Sequence, residues 1–215
     1  INAQLNDGMD VYVTVIGEDR IESYSIEKEL VKNGINITRL KGPRMFNLFS
    51  YFSMYTKFRN EEFDIIHSHQ PRSDFMVYKI KKYLSKKSKW IVSVHGKYDT
   101  YLEKGSLSNN LRKYFMKRLS KHWQSASSII AISEEVKSWI ENLNHDLNVV
   151  VIPYWIDIKS GETFEKKVIV TLGFLGRLNV NKGIEDLINA INSDQLKTLD
   201  FKLMIGGGGT EEYLE

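Results

Sequence analysis

Short runs of β-branched and apolar residues alternate along the chain with longer stretches in which apolar positions recur at helical spacing. The first run, Val11 to Gly17 (VYVTVIG), has the composition of a buried strand. Ser25 to Val31 then carries a helical pattern, with Ser25 as candidate N-cap and Gly34 as its stop. Ile35 to Leu40 reads as the next strand, and further strands are predicted at Asp64 to His69, Trp90 to His95, Ser128 to Ile132 and Val149 to Ile152. The clearest helix is Ser133 to Leu143. Val136, Trp139, Ile140 and Leu143 form its apolar stripe, and Glu134 and Glu135 sit in the first turn, where the helix dipole favours acids. Strands separated by helices of this length predict βαβ units in a parallel, doubly wound α/β sheet, whose ligands lie beyond the carboxyl ends of the strands.

A polar stretch, Ile158 to Thr163, reads as a linker, and a second block follows. It comprises a strand from Val168 to Leu175, the turn Gly176 to Gly183, a helix with Ile184, Leu187, Ile188 and Ile191 on one face, and a strand from Phe201 to Ile205. Strand, helix and strand alone cannot bury a core, so residues 1–160 are expected to form one domain and residues 161–215 the linker and incomplete start of another. Pro43 to Arg59 is crowded with Phe46, Phe49, Tyr51, Phe52, Tyr55 and Phe58, spread around a helix rather than along one stripe. This fits a helix wedged against the sheet, or a hydrophobic groove or interfacial helix.

Composition narrows the classes. Apolar residues make up 42% and charged residues 27%, ordinary for a globular protein, and there is no apolar run long enough to span a membrane. No secretory signal is visible at Ile1 to Leu5. The absence of cysteine excludes disulfides, cysteine-bound zinc and thiol catalysis, and fits a reducing cytoplasm. The net charge of +3 is unevenly spread: between Phe75 and Ser133 the only acids are Asp99 and Glu103, against a long series of lysines and arginines from Lys79 to Lys121. That stretch is either a solvated basic face or a surface that meets phosphate, in anionic lipid or in nucleic acid.

The segment richest in chemistry is the turn after the strand ending at Leu175. Gly176 ends the strand, Arg177 follows, and Lys182 stands just before a helix N-terminus, where free N–H groups and the dipole favour an anion. Arg177 can fork onto phosphate oxygens and Lys182 can add a point charge. The same residues would also make an ordinary strand-to-helix turn with two solvated cations. Gly206 to Gly209, after the next strand, could let Gly207 and Gly208 approach a phosphate or base closely, or form a flexible loop.

The stretch GFLGRLNVNKGIEDLINAI (Gly173 to Ile191) resembles the motif that opens the donor-binding domain of the family 4 retaining glycosyltransferases, enzymes of the two-lobed GT-B fold. Four more segments resemble that family in the same order: FDIIHSHQ (Phe63–Gln70), VSVHGKYD (Val92–Asp99), ASSIIAISEEVK (Ala126–Lys137) and VVVIPYWIDIKSG (Val149–Gly161). The resemblance implies a GT-B protein with a Rossmann-like acceptor-side domain, lacking its first strand here, followed by the start of a nucleotide-sugar-binding domain. It implies that Arg177, Lys182 and Gly176 hold the donor diphosphate and that His95 faces the donor sugar. Gly96, His69, Ser133, Gly207 and Gly208 become further cleft candidates. His67 and His69 are expected on opposite strand faces, so that at most one lines the cleft. The turn that usually reads Pro-Asn-Gly is Pro153-Tyr154-Trp155 here, and the family's downstream acidic pair has no counterpart before Glu215.

The expected activity is retaining transfer of a hexosyl group from a nucleotide-diphosphate-sugar to a saccharide or lipid-linked acceptor, in cell-surface polysaccharide or glycolipid synthesis, with no metal and no other cofactor. This stretch by itself is expected to be inactive. Expected partners are the donor, the acceptor and an anionic membrane surface on the cytoplasmic side, with no nucleic acid. The alternatives are a basic Rossmann-like nucleic-acid-binding module and a GT-B nucleotide-sugar epimerase.

Overall fold

The computed structural model describes residues 2–17, 23–41, 48–84, 87–98, 109–155, 169–193 and 199–209. The chain divides into two compact units, Ile1–Ile156 and Asp157–Glu215.

The first unit opens with α1 (Asn2–Asn6), followed by β1 (Tyr12–Gly17), α2 (Ser23–Lys32) and β2 (Asn36–Lys41). The predicted Ser25 cap lies inside α2, which begins two residues earlier; Gly34 follows its end with φ 82°, the left-handed value that glycine accepts without a Cβ penalty. β1 and β2 pair in parallel, Tyr12 opposite Asn36 and Ile16 opposite Leu40. α3 (Leu48–Phe58) leads to β3 (Ile65–His69), α4 (Gln70–Ile80), β4 (Lys89–Val94), α5 (Asn109–Trp123), β5 (Ser128–Ala131), α6 (Glu134–Leu143) and β6 (Val149–Val151). The last four strands form one parallel sheet in the order β3-β4-β5-β6. The expected parallel α/β arrangement forms, and among the described residues its strands pair as two sheets, β1–β2 and β3-β4-β5-β6. Tyr12 of β1 stands edge-on to Phe63, which precedes β3, at 5.7 Å.

The strand repeat sorts β4 cleanly. Trp90, Val92 and Val94 are buried at 1% exposure or less in the main core, with Phe75, Met76, Leu119, Trp123 and Ile129. Ile91 and Ser93 take the opposite face. The aromatic helix α3 corrects the expectation of side chains spread all round it. Met54 and Phe58 are buried, Tyr51 and Tyr55 half-buried, and these four stand at i, i+3, i+4 and i+7, one inward stripe; Phe52 points outward. Phe46 lies outside the described residues.

Behind the sheet, a buried polar network ties strand to helices. The Ser68 hydroxyl donates to Asp74 Oδ1 at 2.7 Å and accepts from Trp90 Nε1 at 2.9 Å, while Trp123 Nε1 donates to Asp74 Oδ2 at 3.0 Å. Asp74 is fully buried, and burial pushes its carboxyl up to about 7 against the opposing pull of the Ser68 and Trp123 hydrogen bonds.

The second unit contains β7 (Val170–Leu175), a 3₁₀ turn at Val180–Lys182, α7 (Ile184–Ile191) and β8 (Phe201–Gly206). β7 and β8 pair in parallel, from Val170 opposite Phe201 to Leu175 opposite Gly206. Ile184 is its buried apolar anchor among the described residues. Along β7, Leu172 and Phe174 are half-buried while Thr171, Gly173 and Leu175 are exposed, the alternation of a strand with one covered face.

Candidate active site

In the first unit the candidate residues collect at the carboxyl ends of the parallel strands. His69 is the last residue of β3, His95 follows β4, Ser133 follows β5 and Tyr154 follows β6. The imidazoles of His69 and His95 are joined, Nδ1 of His69 to Nε2 of His95 at 2.9 Å, with rings nearly parallel (19°) and 5.2 Å apart. The other nitrogen of His95, Nδ1, is hydrogen-bonded to the Tyr154 hydroxyl, and that ring also lies nearly parallel to the imidazole, at 13°. His67 joins from the same strand: its ring is 4.3 Å from that of His69, and its Nε2 contacts the buried Ser93 hydroxyl at 2.8 Å. The expectation that His67 and His69 take opposite faces fails, because a strand repeats every two residues and positions i and i+2 share a face. It is Ser68 that turns to the core.

All three imidazoles are held below their ordinary pKa, each chiefly by burial. His69 reaches about 4, with the neighbouring His67 and His95 adding repulsion; for His67 the secondary cause is His95. They are neutral at pH 7, so each presents one N–H and one lone pair. The backbone around His69 is constrained as well. Gln70 has φ 74°, an unusual value for a residue with a Cβ, and Pro71 sits in the first turn of α4. The Ser73 hydroxyl accepts the His69 N–H at 3.1 Å and also contacts the carbonyls of His69 and Gln70. Gly96 has ordinary φ, and a Cβ built there would meet nothing within 4 Å. The fold itself therefore does not require glycine at this position. Ser133 has a local role: its hydroxyl accepts the Val136 N–H at 3.2 Å, capping α6 as its sequence position suggests. The carboxylate of Glu135 pairs with Lys97 at 2.6 Å, which holds the loop after Gly96 against α6.

In the second unit the strand pairing runs on past its ends. Gly176 N–H donates to Gly206 O at 3.0 Å and Leu178 N–H to Gly208 O at 2.9 Å. Gly207 has φ 145°, and a Cβ there would fall 1.8 Å from the Gly176 carbonyl oxygen. Glycine at 207 is thus demanded by the approach of two backbones, and the run from Gly206 is not a loose loop up to Gly209. Gly208 has open space around it. Arg177 and Lys182 are both exposed, and among the described residues no hydrogen bond or ion pair engages either side chain. Gly183, with φ 70°, turns the chain from the 3₁₀ segment into α7. The first turn of that helix already carries Glu185 and Asp186, so the local positive charge comes from Arg177 and Lys182 rather than from the helix end alone.

The structure thus gathers His67, His69 and His95 into one cluster with Ser93 and Tyr154, and gathers Gly176 with Gly207. Ser93 and Tyr154 escaped the sequence reading as partners. The departure at Pro153-Tyr154-Trp155 was the available signal for Tyr154. Among the described residues no group of three His, Asp or Glu side chains can hold a metal ion.

The family model for Glycosyltransferase Family 4 matches residues 2–160, the stretch that carries this cluster. The chain belongs to glycosyltransferase family 4. Its fold is of the GT-B type: the structure of sucrose-phosphate synthase from Thermosynechococcus elongatus superposes with a TM-score of 0.64 over 94% of the chain at 12% identity. The chain spans 63% of the length of that structure. No curated protein matches it in sequence. The strand-end histidines lie within the matched stretch and the glycine turn at Gly176 lies outside it; no described helix is long and apolar enough to cross a membrane.

Proposed function

We propose that this protein transfers a hexosyl group from a nucleotide-diphosphate-sugar to a saccharide or lipid-linked acceptor, with retention of anomeric configuration, in making a cell-surface polysaccharide or glycolipid. The observation that carries the reading is the pair of neutral, hydrogen-bonded imidazoles of His69 and His95 at the strand ends, beside a glycine that the fold does not need. Neutral imidazoles suit a sugar: they exchange hydrogen bonds with hydroxyl groups without adding a charge. His95 is the group assigned to the reacting sugar, with His69 and Gly96 completing its surroundings.

In the second unit, Arg177 and Lys182 are assigned to the diphosphate. As the bond from the sugar to phosphate breaks, negative charge grows on the leaving group, and cations already placed there lower the barrier. Gly176 and Gly208 present backbone beside them. No metal and no further cofactor enters this scheme. Calorimetric titration of the intact protein with uridine, guanosine and adenosine diphosphates tests it. One of them should bind, and changing both Arg177 and Lys182 to Ala should weaken that binding by about a hundredfold, as the loss of two charge-assisted contacts dictates. Unchanged affinity would remove the assignment.

The basic surface supports attachment to an anionic membrane on its cytoplasmic side. On α5, Lys113, Lys117 and Lys121 are exposed at i, i+4 and i+8, and Leu111 and Tyr114 are exposed beside them. Co-sedimentation with anionic vesicles, absent with neutral ones, is the expected result; equal binding to both refutes it.

A further inference from the structure

We infer that Tyr154 is a positioning residue which, through a directional hydrogen-bond chain, fixes the tautomer of His95 and then that of His69. The inference deepens the proposed role of His95 and rests on that role for its use in catalysis. Its evidence is geometric. The Tyr154 hydroxyl bonds Nδ1 of His95, and Nε2 of the same ring bonds Nδ1 of His69 at 2.9 Å. Tyr154, His95 and His69 follow one another edge to edge with nearly parallel rings, 5.8 Å and then 5.2 Å between ring centres, as hydrogen bonds through the ring nitrogens require. Each link uses one nitrogen of a ring, so settling the proton on one link settles it on the next.

The direction follows from donor and acceptor strengths. A phenol O–H is a better donor than a neutral imidazole N–H, and an imidazole lone pair a better acceptor than a phenol oxygen. Tyr154 therefore donates to Nδ1 of His95. His95 must then carry its proton on Nε2, which donates to Nδ1 of His69. His69 in turn carries its proton on Nε2. The chain thus makes His69 end in an N–H, a donor fitted to a sugar hydroxyl or a phosphate oxygen, instead of a lone pair. No proton is gained or lost along it. The reverse order would turn every tautomer over and leave an acceptor at the same place.

His69 is fixed well enough for this to matter. Its backbone N–H is accepted by Ser73, and the next residue is held at φ 74°. Tyr154, in contrast, is 66% exposed, so its ring owes its place to the histidine contact and not to core packing. Removing the hydroxyl leaves the fold intact. It frees His95 to rotate or to exchange tautomers.

The test is a long-range proton–nitrogen correlation spectrum of the intact protein labelled with ¹⁵N in histidine, read through the carbon-bound ring protons, for the native protein and for Tyr154→Phe. The native spectrum should show a bare Nδ1 and a protonated Nε2 for both His95 and His69, assigned by His95→Gln and His69→Gln. In Tyr154→Phe, both rings should shift toward averaged tautomers. A native His95 protonated at Nδ1, or a Tyr154→Phe spectrum in which neither ring moves, overturns the inference. A transferase assay on the same variant separates this from the functional reading. Loss of the ring-orienting partner should lower kcat by on the order of ten- to a hundredfold with little change in the donor KM. If the tautomers move and kcat does not, the chain stands and the catalytic assignment of His95 falls.

Discussion

Replacing Asp74 with Asn isolates what one buried carboxyl does to stability. In the folded protein that carboxyl is raised from 3.8 to about 7 by burial, against the stabilising hydrogen bonds of Ser68 and Trp123. The folded state consequently keeps a proton that the unfolded chain releases at much lower pH. Its contribution to stability is fully present below about pH 4 and is lost as pH rises through about 7. A rise of roughly three units corresponds to about 4 kcal/mol between those limits. His69 and His122 act in the opposite sense. Burial lowers both to about 4, so their part in stability is present at neutral pH and is lost as pH falls toward 4. The raw pH profile of the protein therefore mixes rising and falling terms, and only the difference between Asp74→Asn and the native protein is diagnostic. The amide keeps the shape, can accept from Trp123 and donate to Ser68, and costs about 1 kcal/mol for reorienting the Ser68 hydroxyl. Urea denaturation at intervals from pH 4 to pH 8 should show the variant slightly less stable at acid pH and more stable than the native protein above pH 7. The two curves should cross between. Parallel curves across that range would refute the reasoning, because they would mean that Asp74 keeps its ordinary affinity for a proton.

Three further substitutions separate fold from site. Gly96→Ala meets open space and ordinary backbone angles, so stability should change by less than about 0.5 kcal/mol, while kcat/KM for sugar transfer falls at least about tenfold; full activity would remove Gly96 from the site. Gly207→Ala drives a methyl group to 1.8 Å from the Gly176 carbonyl oxygen and should destabilise the second unit by about 2–5 kcal/mol in chemical denaturation. A loss under about 0.5 kcal/mol would show that the two backbones are not so close. Gln70→Gly relieves a left-handed residue and should leave melting temperature unchanged or raised, by up to about 1 kcal/mol of stability; a drop would mean that the Gln70 side chain contributes more than its backbone costs.

The order of elements was legible because the signals for it are local. The apolar stripe at Ile184, Leu187, Ile188 and Ile191 marks α7 without correction, and Ser133 caps α6 where it stands in sequence. Short β-branched runs located every strand to within two residues or so. What escaped was set by contacts far apart in the chain. Nothing local announces that Asp74 will meet Ser68 and Trp123, 6 and 49 positions away, or that Tyr154 will reach His95 across 59. The separation of β1 and β2 from the larger sheet is likewise a matter of pairing, which strand composition does not encode. Gly207 suggests either room for a ligand or a flexible loop, and the cause is the neighbouring strand's own backbone. On the aromatic helix, Phe52 stands out from the inward stripe of Tyr51, Met54, Tyr55 and Phe58, and residue type alone does not sort the one from the others.

The proposed donor is a nucleotide-sugar, and the proposed transfer keeps its anomeric configuration. A proton NMR time course of the intact protein, given each common nucleotide-diphosphate-sugar with a saccharide acceptor, tests both parts in one experiment. One donor should release nucleoside diphosphate and give a new glycosidic anomeric signal of the donor's own configuration, both reduced in His95→Ala. A product of inverted configuration, or turnover that survives His95→Ala undiminished, would contradict it.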